Sequence, residues 1–246
     1  AIAIPLILMA CQSTESELAS PNEAPSNPLT VERIYKDHEF KSQWLGRIRW
    51  LADGSGYTAV EKSATKKKSD DGKEQGIGRD IVFYNPNTLA KTVLISAEQL
   101  IPKGETKPLS IDNYLWSNDR SQVLIYTNSK KVWRSNSRGD YWVLNLNTEQ
   151  LKQLGGKSVK ASSLMFAKFS PDGSKVAYVF DNNIYVETLA SNEIEQLTSD
   201  AGNGIINGLF DWVYEEEFSI RDGFRWSPDG SSIAFWQLDT QGSKDF

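Results

Sequence analysis

Three consecutive glutamates, Glu215, Glu216 and Glu217, follow the aromatic residues of the segment "DWVYEEEF" (residues 211–218). Adjacent carboxylates repel each other, and a cation between them relieves that repulsion. A protonated amino terminus carries a positive charge and three N–H donors, and two converging carboxylates can accept most of these hydrogen bonds. We therefore predict that Glu216 and Glu217 bind such a cation. The alternative is a solvated first turn of a short helix, where the helix dipole favours negative charge.

An arginine in another part of the chain is the second candidate for binding chemistry. Arg134 lies directly after Trp133 in the polar stretch "TNSKKVWRSNSRG" (residues 127–139). A guanidinium presents a rigid fork of donors that suits carbonyl and carboxylate oxygens. Arg134 would therefore donate to a substrate carbonyl, or partly offset the acidic pair when the site is empty.

Groups that could carry out catalysis are scarce in this sequence. His38, the single histidine, lies in "YKDHEF", and we interpret it as a surface or packing residue. There is no G-x-S-x-G nucleophile elbow, and the residues do not assemble into a Ser-His-Asp triad. One histidine and one cysteine provide no spaced set of ligands, so we predict neither a metal site nor a cofactor. The net charge of −5 also argues against a nucleic-acid partner.

The elements that position these residues are predicted by an internal repeat. Four similar segments, "WLADGSGYTAV", "WSNDRSQVLIY", "FSPDGSKVAYV" and "WSPDGSSIAFW", begin at Trp50, Trp116, Phe169 and Trp226 and are 66, 53 and 57 residues apart. Each has an aromatic residue, then a turn rich in Ser, Asp and Gly, then an alternating run of strand-forming residues. Repeats of this length are typical of stacked structural units.

The third repeat shows the unit most clearly, because "KVAYVF", "IYVETL" and "IEQLT" read as short strands joined by tight turns. Such a meander has a face that it cannot bury alone, and radial stacking of four-stranded blades solves that problem. We predict an all-β chain that forms a β-propeller of four-stranded antiparallel blades, with about four blades present and only one strand of the last. The alternative is a β-sandwich with accidental similarity among its turns.

Two long connections hold the candidate residues. The second repeat joins two strands through residues 127–139, where the third repeat needs only Asp181 to Asn183. The passage into the fourth repeat takes 29 residues, against 15 into the third, and it contains the acidic run. Long excursions from a rigid scaffold are where binding residues tend to lie. A third excursion, "KSATKKKSDDGKEQGIG" (residues 62–78), reads as a solvated hairpin loop.

The beginning of the chain reads as an export signal and a tether. The apolar run "AIAIPLILMA" ends at the single cysteine, Cys11, and is about half the length of a membrane span. Residues 8–11 resemble a bacterial lipobox, so we predict that Cys11 is lipidated and anchors a protein of the cell envelope, periplasmic or on the outer surface. The predicted divisions are 1–11 for the signal segment, 12–36 for a polar linker and 37–246 for the propeller. The alternative is a buried or incidental thiol.

The segments "DWVYEEEF" and "VWRSNSRGDYWV" (residues 132–143), together with the W-S-P-D-G repeats, resemble the N-terminal propeller of the dipeptidyl peptidase IV family. The resemblance implies that Glu216 and Glu217 bind the free amino terminus of a peptide and that Arg134 contacts the carbonyl of its second residue. It also implies an α/β-hydrolase domain beyond residue 246, which would hold the serine triad, and the release of Xaa-Pro or Xaa-Ala dipeptides. Members of the family often form homodimers.

Two other classes of function stay open on the sequence. One is a non-catalytic envelope propeller that binds a protein or peptide, which needs neither a hydrolase domain nor a free substrate amino terminus. The other is a related tripeptidyl peptidase or aminopeptidase of the same clan, in which the acidic pair would count a different number of residues.

Overall fold

The computed structural model describes residues 29–42, 48–68, 74–157 and 159–243. The chain divides into two compact units, Ala1–Leu45 and Gly46–Phe246. In the described part of the first unit, a short π-helix spans Glu32–Lys36, and Arg33 pairs with Glu39 at 2.5 Å. Cys11 and most of the predicted linker lie outside the described residues, so both remain predictions.

The second unit is built from antiparallel sheets of four strands, each one a propeller blade. Blade 1 and its inserted hairpin are formed by β1 (Ile48–Trp50), β2 (Tyr57–Lys62), β3 (Lys66–Lys68), β4 (Glu74–Gly76), β5 (Arg79–Tyr84) and β6 (Lys91–Ile95). Blade 2 consists of β7 (Asn113–Trp116), β8 (Gln122–Val132), β9 (Ser135–Asn145) and β10 (Gln150–Gln153). Blade 3 consists of β11 (Met165–Phe169), β12 (Lys175–Phe180), β13 (Asn183–Thr188) and β14 (Ile194–Gln196).

Part of a fourth blade follows, with a helix in the connection that leads into it. These elements are β15 (Ile205–Asn207), α1 (Trp212–Phe218), β16 (Phe224–Trp226), β17 (Ile233–Phe235) and β18 (Gln237–Asp239). The run predicted after the fourth turn is divided at Trp236, because β17 pairs with β16 whereas β18 pairs with β15. The predicted architecture of four-stranded antiparallel propeller blades is confirmed, but the prediction of a single strand in the last blade is wrong, because β15 to β18 form two antiparallel pairs there.

The repeated turn is held by the same local hydrogen bonds in three blades. The serine hydroxyl donates to the aspartate two residues later at 2.6 Å, in the pairs Ser117 with Asp119, Ser170 with Asp172 and Ser227 with Asp229. The aspartate also accepts the backbone N–H of the serine two residues further on, at 3.1 Å. The aromatic residue before this turn ends the first strand of its blade, so each blade begins one strand earlier than the repeat in the sequence indicates.

Strand direction places the two candidate segments at the same end of the strands. In an antiparallel sheet of four strands, the link between the second and third strands leaves at the same end as the link from the fourth strand to the next blade. The β8–β9 turn is a link of the first kind, and α1 lies in a link of the second kind. The Ser-Asp turns lie at the opposite end, where Arg120 pairs with Asp53 of the preceding blade at 2.9 Å.

Three apolar cores fill the spaces between successive blades. The core between blades 1 and 2 includes Ile81 and Tyr114, and the core between blades 2 and 3 includes Leu124 and Tyr178. The core between blade 3 and the partial fourth blade includes Ala177 and Phe224. Apolar burial between sheets is the main stabilising term for such stacking. The cores therefore hold blade 2, which carries Arg134, in a fixed position relative to the segment that carries the glutamates.

Candidate functional site

Arg134 lies at the tip of a long hairpin. Strands β8 and β9 each run for 11 residues and continue beyond the sheet, so the predicted connection of residues 127–139 is largely strand. The turn itself is two residues, Trp133 and Arg134, closed by the pairing of Val132 with Ser135. Trp133 has φ of 54°, which is unusual for a bulky residue and persists only where surrounding contacts hold it.

The acidic run supplies three of the seven residues of helix α1. The carboxylate of Asp211 caps the helix by accepting the backbone N–H groups of Val213 at 3.1 Å and Tyr214 at 3.2 Å. At the other end Ser219 adopts a left-handed conformation with φ of 55°, and its N–H donates to the carbonyl of Glu215 at 3.1 Å. The helix is only seven residues long, so the caps at Asp211 and Ser219 fix both the residue at which it begins and the residue at which it ends.

Helix geometry gives the three glutamates different surroundings. Successive residues are rotated by about 100° around a helix axis, so three neighbours cannot share one face. The Glu215 side chain is 6% exposed and the Glu216 side chain 22%, whereas Glu217 is exposed to solvent. The helical alternative is therefore correct about the local structure, but of the three glutamates only Glu217 is exposed.

The structure brings Arg134 and Glu216 together as an ion pair between Nε and Oε1. Arg134 is 76% exposed in this pair, so solvent screens the interaction strongly. The contact reaches Glu216, one member of the acidic pair, and the role predicted for Arg134 stays a prediction. Glu217 lies at the next position of α1, on the surface beside this contact.

The sequence-based predictions missed a second contact, which joins the tip of the hairpin to the segment after α1. Arg221 follows α1, and its Nη1 lies 3.8 Å from Oε2 of Glu215. Its guanidinium carbon is also 3.9 Å from the centre of the Trp133 ring. Burial lowers the pKa of Arg221, and the Glu215 carboxylate opposes that shift. A single arginine in an irregular segment has no periodicity that would have indicated this role.

A cleft of about 470 Å³ lies between the hairpin and α1, and Glu217 and Trp133 are not among the residues that line it. Its walls include Arg134, Glu216 and Arg221, and Phe166 lines it from blade 3. Phe166 lies at a bulge in β11 and has φ of 54°. Asp222 also borders the cleft and accepts a hydrogen bond from Lys168 at 2.5 Å. Burial lowers the pKa of Lys168 to about 8, and Asp222 opposes this shift.

The aromatic side of α1 faces a separate cavity. Tyr214 stacks on Phe210 with ring centres 4.7 Å apart, and Phe210 contacts Trp236 at 5.5 Å. These rings line an apolar cavity of about 780 Å³. They hold the helix by its apolar side, which leaves Glu216 directed to the polar cleft.

The arrangement places a carboxylate and a guanidinium at one cleft, and these groups can bind a cation and a carbonyl respectively. His38 is exposed and belongs to the first unit, Ala1–Leu45. Within the described ranges, no three His, Cys, Asp or Glu side chains are placed to hold a metal ion. In the same part of the chain, no helix has the length and apolar character needed to span a membrane.

Comparison with known proteins agrees with this geometry. The "Probable dipeptidyl-aminopeptidase B" of Sordaria macrospora is 29% identical over 239 residues, which cover 94% of this chain and 25% of the relative. That of Chaetomium globosum is 37% identical over 131 residues, covering 53% of this chain and 14% of the relative. The chain thus spans about a quarter or less of the length of these curated relatives.

Two solved structures are similar in fold. The dipeptidyl peptidase 4 of Porphyromonas gingivalis matches with a TM-score of 0.68 and 30% identity, over 87% of this chain and 28% of that one. A putative dipeptidyl aminopeptidase IV from Bacteroides ovatus matches with a TM-score of 0.52 and 21% identity, over 83% of this chain and 24% of that one, and so supports the fold alone.

The model of one protein family, described as the dipeptidyl peptidase IV (DPP IV) N-terminal region, matches residues 117–246. This range is more than half of the chain and contains the β8–β9 hairpin, helix α1 and the cleft between them. The chain belongs to the dipeptidyl peptidase IV N-terminal region family.

Proposed function

We propose that Glu216, Glu217 and Arg134 recognise the free amino terminus of a peptide, in a serine-type enzyme that releases Xaa-Pro or Xaa-Ala dipeptides. The observation that carries the proposal is the ion pair of Arg134 with Glu216 across two separate elements at the edge of one cleft. A carboxylate that already pairs with a cation is well placed to exchange it for a substrate ammonium.

Binding proceeds by this exchange. The substrate ammonium takes the place of Arg134 beside Glu216, and Glu217 at the next helical position accepts a further N–H. The released guanidinium of Arg134 can then donate to a carbonyl of the peptide. The exchange costs little, because the Arg134 guanidinium is 76% exposed and solvent screens the pair that it breaks.

Such a site explains why an enzyme would release dipeptides. Holding the ammonium at a fixed distance from a nucleophile defines the bond that is cut, and binding energy from this remote contact orients the scissile bond. The nucleophile and its base belong, in this proposal, to an α/β-hydrolase domain elsewhere in the full-length protein. The names of the relatives support the more general proposal that the full-length protein is a peptidase.

The test uses the full-length protein that contains this chain and two chromogenic substrates, Gly-Pro-p-nitroanilide and its N-acetylated form. We expect rapid cleavage of the free amine and little cleavage of the acetylated form, because acetylation removes the positive charge that Glu216 and Glu217 bind. Equal rates would refute the role of the glutamates. Cleavage of neither substrate would favour a binding propeller, and release of a tripeptide from a longer peptide would favour the related peptidases.

We also propose that lipid attached to Cys11 anchors the protein in the cell envelope. The support is the apolar run before this residue and the polar segment after it. Mass spectrometry of the amino-terminal peptide from membranes should show a lipid-modified cysteine, and Cys11→Ser should release the protein from the membrane fraction. An unmodified Cys11 in a membrane-free protein would refute the anchor.

A further inference from the structure

Two contacts of different character hold the β8–β9 hairpin against the glutamate helix. The first is the exposed ion pair of Arg134 with Glu216. The second is the stacking of Arg221 on Trp133, with Glu215 next to the guanidinium. The side chains of Arg221 and Glu215 are 10% and 6% exposed, whereas Trp133 is 51% exposed, so the indole covers a buried guanidinium and carboxylate.

The two contacts respond differently to a bound peptide. If an ammonium group binds Glu216, it competes directly with Arg134 and weakens the first contact. The second contact uses neither Glu216 nor Glu217, so it persists. Without the second contact, the hairpin tip that carries Arg134 would be unrestrained while Arg134 binds the peptide carbonyl. A mobile donor binds less well than a preorganised one.

We propose that Arg221 is a positioning residue that keeps the Arg134 hairpin in place while substrate occupies the glutamates. This inference rests on the proposed function of the site. Arg221 acts through Trp133, the residue directly before Arg134 in the two-residue turn, so a restraint on the indole is a restraint on the guanidinium beside it.

Backbone geometry supports this assignment. Trp133 has a left-handed conformation, with φ of 54°, that a bulky residue rarely adopts without support. Strained turns of this kind persist where neighbouring contacts over-determine them. Stacking of Arg221 on the indole provides such a contact from outside the hairpin.

The hydrogen-bonding state of the buried pair explains why the indole matters. Nε and Nη1 of Arg221 and Oε1 of Glu215 are buried and make no hydrogen bond within the described part of the chain. The guanidinium is therefore held by its charge and by stacking, and not by directional bonds. A planar guanidinium can stack on an aromatic face and still present its edge to a carboxylate, which a lysine ammonium cannot do.

Hydrogen exchange of the amides of residues 129–137 in the full-length protein tests this two-contact scheme. Glu216→Met alone and Arg221→Met alone should each leave one contact, so exchange should change little. The double variant should exchange faster by on the order of tenfold, because both contacts are lost. A double variant that exchanges no faster than the more affected single variant would overturn the proposal.

A second set of variants addresses misfolding and separates support for the hairpin from general stability. Arg221→Met leaves Glu215 buried without its cation, so Trp133→Leu serves as the variant that removes the stacking alone. With Gly-Pro-p-nitroanilide, Trp133→Leu should raise KM by on the order of tenfold with kcat changed by less than about threefold, and Trp133→Phe should restore KM because it keeps a ring. Equal KM values for the Leu and Phe variants would contradict the proposal.

The control is Arg79→Met, which removes an exposed arginine of blade 1. It should alter neither exchange nor KM. If the wild-type protein cleaves no dipeptide substrate, the proposed function fails, but the exchange experiment on the double variant still decides the role of Arg221, because it requires no peptide.

Discussion

Replacement of Glu216 by glutamine should affect substrate recognition far more than it affects folding. The substitution keeps the size of the side chain and removes its charge. Because Arg134 is 76% exposed, the ion pair that is lost contributes about 0.2 to 1 kcal/mol to the free energy of unfolding. The amide of glutamine can still accept a hydrogen bond from the same guanidinium, which lowers the cost further.

The effect on substrate should be larger, because the ammonium of a bound peptide would lose a charged acceptor. A hydrogen bond between charged groups contributes about 1.5 to 3 kcal/mol, which corresponds to a decrease in kcat/KM of roughly 10-fold to 150-fold. Glu217→Gln should act in the same direction and leave stability almost unchanged, since Glu217 is exposed. Glu195→Gln, an exposed glutamate on β14, is the matched control and should change neither quantity.

The assay combines cleavage of Gly-Pro-p-nitroanilide with urea unfolding of the same full-length variants. The role of the Glu216 charge in substrate binding is refuted if Glu216→Gln retains kcat/KM within about twofold of the wild type, because loss of the charge would then cost less than loss of a neutral hydrogen bond. It is also refuted if the free energy of unfolding falls by more than about 2 kcal/mol, since the pair would then be structural.

Three further predictions concern the scaffold around the site. Glu215→Met should reduce the free energy of unfolding by about 3 kcal/mol in urea titration, because it leaves Arg221 buried without its partner. The control Glu217→Met should change this free energy by less than about 0.5 kcal/mol, since Glu217 is exposed. Similar losses for both variants would contradict the difference in burial. Gly139→Ala should destabilise by about 1 to 3 kcal/mol in the same titration, because a Cβ would lie 2.3 Å from the Tyr126 ring, and Gly242→Ala, with nothing within 4 Å, is the control that should be nearly neutral. The Ser170 hydroxyl is the main group that holds the pKa of Asp172 at about 2, so ionised Asp172 stabilises the fold above pH 4 and loses that contribution as pH falls through 2. The difference in free energy of unfolding between wild type and Asp172→Asn should therefore narrow over this range. A constant difference would refute the stabilising role of ionised Asp172.

The turns and strands could be predicted because their causes are local. The hydrogen bond of Ser170 with Asp172 joins residues two positions apart, and its repetition in Ser117 and Ser227 gives each blade the same turn at the same place. The first strand of each blade was harder to recognise. A short run such as Met165–Phe169, interrupted by a bulge, has little alternation to distinguish it from a loop.

The sequence by itself determined the propeller blades, the two long excursions and the residue types that they carry, because turn chemistry and alternation act over a few neighbouring residues. Only the tertiary structure decided the surroundings of each glutamate. Glu215 is buried beside Arg221, Glu216 pairs with Arg134, and Glu217 faces solvent. The rotation of α1 about its axis is set by aromatic packing on Phe210 and by caps at both helix ends. The contacts of Arg134 and Arg221 join blade 2 to the segment that leads into the fourth blade, and no local pattern specifies which side chains meet across that distance.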